Sequence, residues 1–254
     1  DFNVLIDFVA NHVHKEHWVY QQNPDWATEL YLPDGSMNTE RWDEYRLTTW
    51  FDTHLPTLDL MNPELTDMLT DSAVFWLKEY NIDGFRHDAT KHVPEYFWRE
   101  STKKIKREVI RPEKKEIYQI GETYGSRELI ASYVNSGQMT AQFDFGIYDD
   151  ALPTFARADV PFSRLESSIN ESFKYYGEHH LMGNVTGNQD KARFMAFASG
   201  DLDFGEDYKL AGWTREIKVS DPIAYETLKL FHAFDLTIPG IPVIYYGDEF
   251  GMTG

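Results

Sequence analysis

Short apolar runs alternate with longer stretches of helical periodicity along this chain. Six runs read as strands: NVLIDFV (3–9), DGFRHD (83–88), EIYQIGET (116–123), AQFDFG (141–146), ARFMAFASG (192–200) and IPVIYYG (241–247). Each is short, rich in β-branched or aromatic residues and bounded by polar or glycine positions. Between them, residues 63–80, 95–110, 164–177 and 222–236 repeat apolar side chains near helical spacing. In the first of these helices, Leu65, Met68, Leu69, Ala73 and Leu77 carry the repeat, Pro63 suits the first turn, and Asn62 suits the cap.

Strands alternating with helices predict parallel βαβ units. The pattern fits an α/β fold of TIM type, a partial (β/α)8 barrel with about six of the eight βα units. A doubly wound sheet is the alternative, disfavoured because no phosphate-binding glycine fingerprint is present. Residues 13–62 break the rhythm: they are rich in Trp, Tyr, Asn and Asp and too long for an ordinary barrel loop. The expected organisation is therefore one partial catalytic barrel over 1–254 with a small subdomain inserted at 13–62, after the first strand.

Composition narrows the function. A content of 42% hydrophobic residues supports a substantial core. The net charge of −18 opposes binding to a phosphate backbone, so nucleic acid is not an expected partner. There is no cysteine, which excludes a disulfide framework and thiolate metal sites. The longest apolar run, GIPVIYYG (240–247), falls well short of the roughly 18 residues a membrane span needs, so no membrane partner is expected. The first residues, DFNVLIDFVANH, lack the basic start of a signal peptide and read as a strand already under way. Both ends read as cut, which leaves localisation open.

The chemistry sits where the strands run out. The first ends in Asp7, Asn11 and His12, and the second in Arg86 and Asp88, followed by Lys91 and His92. The third ends in Glu122, and the fifth runs into Asp201. In a parallel barrel, strand C-termini open on one face, where distant residues converge. Paired carboxylates there suit retaining glycoside hydrolysis, with one as nucleophile and one as acid/base. Arg86 lies two residues before Asp88, on the same face of the strand, where a guanidinium favours an ionised nucleophile. A metal site is the rival reading of NHVHKEH (11–17), because His12 and His14 form an H-x-H pair. The remaining histidines that such a site needs do not fall at strand ends.

These motifs resemble those of the α-amylase family of glycoside hydrolases. DFVANH (7–12) is similar to its first signature, GFRHDATKH (84–92) to its second, GETY (121–124) to its third, and GIPVIYYGDEFG (240–251) to its closing strand. The resemblance implies Asp88 as nucleophile, Glu122 as general acid/base and Asp201 as third carboxylate. It implies Arg86, Asp7, His12, Lys91 and His92 around the substrate. It implies no cofactor for the chemistry, but a structural calcium with Asn11 as a ligand, as in relatives that have one. The substrate would be an α-glucan or oligosaccharide, either hydrolysed or transferred to a sugar acceptor. Non-catalytic relatives that serve as binding partners are the reading of another class. The fourth signature, normally N-H-D, is matched at Ser199-Gly200-Asp201, with Asp203 as the other alignment. Trp18, Trp26, Tyr31, Trp42 and Trp50 are candidates for sugar stacking or for packing of the inserted segment.

Overall fold

A computed structural model describes residues 2–253. The chain folds as two compact units, residues 1–124 with 132–142, and 125–131 with 143–254.

The first unit is built on a four-stranded parallel sheet in sequence order: β1 (Leu5–Phe8), β2 (Gly84–His87), β3 (Tyr118–Gly121) and β4 (Ala141–Gln142). Residues Leu5, Gly84 and Tyr118 start in register across the first three strands. Gly84 is required there, because a Cβ would stand 1.7 Å from the Tyr118 carbonyl oxygen. Alternate residues of β2 then part. Phe85 turns to the helical layer and is fully buried among Ala73, Val74, Leu77, Ile105 and Val109, while Arg86 takes the opposite face.

The segment between β1 and β2 begins with a short helix α1 (Trp18–Gln22) and closes with α2 (Pro63–Glu79). As expected, Asn62 caps α2, its side chain accepting from the Glu64 and Leu65 amides at 2.9 and 3.3 Å. Residues 13–62 contain no extended strand among the described residues. They are held by isolated bridges such as His12 to Thr57 and Thr39 to Trp50, and they pack as part of the first unit. After β2 come α3 (Glu95–Ile105), a π-turn (Lys106–Ile110) and the single turn α4 (Arg111–Glu113). Lys104 ties α3 to α2 through Asp67 at 2.5 Å and Asp71 at 2.7 Å.

The second unit contains α5 (Arg127–Ser132, its last residue in the first unit), α6 (Phe145–Ala156), α7 (Phe162–Tyr176), β5 (Gly183–Val185), α8 (Phe194–Ala198), α9 (Tyr208–Thr214), α10 (Ala224–Asp235) and β6 (Ile241–Val243). Strands β5 and β6 pair in parallel, Gly183 opposite Ile241. Its core joins Phe145, Tyr148 and Leu152 of α6 to Leu165, Phe194, Met195, Leu228 and Phe231. Asp144 is buried, caps α6 at the Ile147 amide and accepts from Ser172 Oγ at 2.6 Å.

Two sequence expectations are corrected here. Residues 192–200 are not a strand: Phe194–Ala198 is a helix whose Phe194, Met195 and Ala196 are buried. An apolar run of that length fits a buried helix and a buried strand equally. The strand of this region is β5, separated from α8 by eight residues. The expected strand at 141–146 contracts to Ala141–Gln142, because the Asp144 cap starts α6 at Phe145. Among the described residues, no helix is long and apolar enough to cross a membrane.

Candidate active site

The register of β1–β3 builds the site. Asp7 and Arg86 are Cα partners, as are Arg86 and Ile120. With a side-chain period of two, Asp88 shares the face of Arg86, and Glu122 shares that of Ile120. Both carboxylates thus leave the sheet one residue past a strand end, on neighbouring strands.

Arg86 gathers them. Its Nη1 donates to Asp7 Oδ1 and Oδ2 at 2.9 and 3.0 Å and to Asp88 Oδ1 at 2.7 Å. Its Nη2 donates to Glu122 Oε2 at 2.5 Å. The Arg86, Asp88 and Glu122 side chains are 17%, 19% and 16% exposed, so the pairs lie largely out of bulk water and are screened little by salt. Burial pulls the Arg86 pKa down, but Glu122, Asp7 and Asp88 more than reverse this, and the net shift is upward. Arg86 is a fixed cation between carboxylates.

The backbone locks this arrangement. The Glu122 amide donates to the His87 carbonyl at 2.9 Å, and the Thr90 amide donates to the Glu122 carbonyl at 2.9 Å. Ala89, directly after Asp88, takes a left-handed conformation at φ 47°, which turns the chain sharply into Thr90–His92. Gly121 leaves no room for a side chain: a Cβ would stand 2.1 Å from Gln142 Nε2 and 2.5 Å from Thr90 Oγ1.

Aromatic packing flanks the carboxylates. His12 stacks on Phe51 at 4.4 Å, and Phe51 and Trp42 pack edge-on against His92. Burial lowers the His12 pKa, opposed by the Asp88 charge. Burial pushes His92 down to about 4, and its Nδ1 lies 2.8 Å from the Arg46 carbonyl oxygen. Both rings are therefore neutral at pH 7. Lys91 reaches Asp43 at 3.7 Å. Trp50 is buried and donates to the Thr28 carbonyl at 2.9 Å, while Trp18 and Tyr31 face solvent.

Asn11 is fully buried, and its Oδ1 has no hydrogen-bond partner among the described residues. An orphaned amide oxygen suits a hard cation, but calcium requires about six to eight oxygens. No cluster of three or more metal-ligating His, Asp or Glu side chains exists among the described residues. Asn11 thus supplies one donor without a side-chain set.

Asp201 does not follow a strand. It sits in a turn after α8, where its carboxylate accepts from Ser220 Oγ at 2.6 Å and the Lys218 amide at 2.9 Å. The loop that does follow a strand in this region, after β5, carries Asn188-Gln189-Asp190. That triplet differs from N-H-D only by a carboxamide in place of the imidazole. The missed signal was LMGNV (181–185), an apolar run diluted by Gly183 and Asn184, with N-x-D three residues beyond it.

The alpha-amylase catalytic-domain family model matches residues 1–254. A cyclomaltodextrinase of Thermoanaerobacter pseudethanolicus is 26% identical over 256 residues, which cover 100% of this chain and 38% of that protein. An intracellular maltogenic amylase of Bacillus subtilis is 23% identical, covering 99% of this chain and 38% of that protein. The crystal structure of the α-amylase from Geobacillus thermoleovorans, complexed with acarbose, superposes with a TM-score of 0.78 at 31% identity and covers 100% of this chain but 51% of that one. The chain thus spans about two-fifths of the length of these curated relatives and about half of that solved chain. The fold is that of the α-amylase catalytic domain, a TIM-type barrel. On the strength of a match running from the first residue to the last, the chain belongs to the alpha-amylase family and forms part of its catalytic domain.

Proposed function

We propose that the complete protein is a retaining glycoside hydrolase acting on α-glucosidic bonds of starch, maltooligosaccharides or related α-glucans. The supporting observation is the fork of Arg86, which holds Asp88 and Glu122 on its two terminal nitrogens at 2.7 and 2.5 Å. A shared guanidinium keeps the two carboxyl groups close together, as covalent, retaining chemistry requires.

In the first step Glu122 transfers a proton to the glycosidic oxygen as the anomeric carbon–oxygen bond breaks, and an Asp88 oxygen bonds the anomeric carbon. In the second, water gives a proton to Glu122 and bonds the anomeric carbon, which releases Asp88. Arg86 counters the charge of Asp88 when it is free, and Asp7 orients Arg86. His12 is neutral and packed on Phe51, which suits hydrogen bonding to a sugar hydroxyl. Lys91 and His92 follow Asp88 in the same turn and are assigned to the leaving-group side. Asp190, following β5, is assigned as the third carboxylate in place of Asp201.

The test is Asp88→Asn in the full-length protein, assayed on starch, maltooligosaccharides, a cyclic maltooligosaccharide and a branched glucan. Turnover should fall by about three orders of magnitude or more, because the covalent step loses its nucleophile. Unchanged turnover would end the assignment. Product analysis of the wild type separates hydrolysis from transfer, since water and sugar acceptors compete for the same intermediate.

A further inference from the structure

We propose that the buried Arg193–Asp248 ion pair is a positioning device that sets the orientation of Asp190. The inference rests on the assignment of Asp190 as third carboxylate. It lies within the second unit, where β5 and β6 run side by side and each is followed by a loop.

One carboxylate clamps both ends of the loop that carries Asp190. At the start, Thr186 Oγ1 donates to Asp248 Oδ2 at 2.7 Å and accepts from the Tyr245 amide at 3.0 Å. At the end, Arg193 Nη1 donates to Asp248 Oδ1 at 3.0 Å and to the Tyr246 carbonyl at 2.5 Å. The Arg193 guanidinium also lies over both rings, 4.3 Å from the Tyr245 centroid and 4.8 Å from that of Tyr246. Inside the clamp, the Asp190 amide donates to Asn188 Oδ1 at 3.0 Å, and Tyr208 Oη donates to the Asp190 carbonyl at 2.8 Å. The backbone on either side of the Asp190 Cα is therefore held, and with it the direction in which the Cα–Cβ bond leaves the chain, while the exposed carboxylate accepts from Gln189 Nε2 at 3.3 Å.

Stability alone does not account for such a pair. The Arg193 and Asp248 side chains are 8% and 3% exposed, so both charges are desolvated. A buried ion pair is commonly matched or bettered for stability by apolar residues of similar size. The geometry it imposes is what apolar packing does not reproduce: one guanidinium nitrogen shared by a carboxylate and a carbonyl, with the guanidinium packed over two adjacent tyrosine rings. A third carboxylate that acts on the transition state requires placement within a fraction of an ångström, which such a clamp supplies.

The experiment compares kcat and KM of the full-length protein with those of Arg193→Lys, Asp248→Asn, Asp190→Asn and the Arg193→Lys/Asp190→Asn double variant, on an aryl α-maltooligoside with a good leaving group. Arg193→Lys and Asp248→Asn should each lower kcat by about 10- to 100-fold with KM changed by less than about threefold. On the Asp190→Asn background, Arg193→Lys should cost less than about twofold more, because its effect runs through Asp190. Losses that multiply in the double variant would assign the pair a general structural role and overturn the inference. Wild-type kcat in Arg193→Lys and Asp248→Asn beside an impaired Asp190→Asn would overturn it alone. Wild-type kcat in Asp190→Asn would overturn it together with the assignment of Asp190. If a single variant fails to fold, Arg193→Met/Asp248→Leu removes both charges at once. A folded protein with lowered kcat then supports the inference, and wild-type kcat sinks it.

Discussion

Arg86 Nη2 and Glu122 Oε2 stand 2.5 Å apart, joining a β2 side chain to the residue just past the end of β3. The same guanidinium holds Asp88 at 2.7 Å, so it sets the separation of the two proposed catalytic groups as well as their charge. Replacement by lysine keeps one positive charge but loses the second nitrogen of the fork. Arg86→Lys should lower kcat by about 100-fold or more, from lost orientation. Arg86→Ala should lower it further and destabilise the fold, because three carboxylates are left facing one another. Steady-state kinetics with circular dichroism melting separates the two effects. Equal activity of Lys and wild type would show that charge alone suffices.

The third carboxylate divides Asp190 from Asp201. Asp201 spends both oxygens on a turn, with Ser220 and the Lys218 amide. Those hydrogen bonds, with Ser220 first, hold its carboxyl below the usual range. Asp201→Asn should leave kcat within about threefold of wild type. Asp190→Asn should lower it by about two orders of magnitude or more, as for a group that acts on the transition state. Parallel rates on maltooligosaccharides decide the matter, and the reverse ranking would restore Asp201.

How far the sequence discloses all this depends on the residue. Asp88 and Glu122 are legible because each follows a strand whose core residues, Phe85 and Ile120, are strongly apolar. Asn62 is legible because a capping asparagine followed by proline is a local signal, and α2 obeys it. Asp190 is hidden for the opposite reason: β5 is Gly-Asn-Val, a strand defined by its pairing with β6 rather than by its own side chains. Phe194–Ala198 misleads because a contiguous apolar run carries no period, and tertiary packing chooses the helix. The Arg193–Asp248 clamp joins residues 55 positions apart, which no local pattern reveals.

Gly121 offers a steric test beside the proposed catalytic pair. A methyl group there meets Gln142 Nε2, Thr90 Oγ1 and the Met139 sulfur, all within 2.6 Å. Something must move, and the neighbour most directly affected is Glu122. Gly121→Ala should cost about 1–3 kcal/mol from overpacking and lower kcat by more than KM changes. Chemical denaturation and kinetics check the two parts. Unchanged stability would mean that the strand pair opens more easily than its hydrogen bonds suggest.

Stability should also depend on pH between about 4 and 7, where buried groups with opposite shifts pull against one another. His87 is fully buried against Trp98 with Nε2 3.1 Å from Gln119 Oε1, and burial pushes its pKa down to about 4 from 6.5. His92 is lowered to about 4 as well. Below pH 6.5 the unfolded chain takes up protons that the folded imidazoles refuse, so folding weakens as pH falls from 6.5 toward 4. Each histidine accounts for about 3 kcal/mol over that window. Asp235 acts in the other direction. It is buried, its Oδ2 lacks a hydrogen-bond partner among the described residues, and burial raises its pKa from 3.8 to about 7. Between those values the folded state keeps a proton that the unfolded state releases. Its contribution is therefore present at low pH and is lost as pH rises through 7, by about 4 kcal/mol in all. His87→Gln should flatten the acid limb of a plot of unfolding free energy against pH. Asp235→Asn should flatten the limb that Asp235 governs and raise stability above pH 7. If Asp235→Asn leaves unfolding at pH 8 unchanged while its Tm at pH 5 falls, the carboxyl is hydrogen-bonded as an anion and the sign assigned to it is wrong.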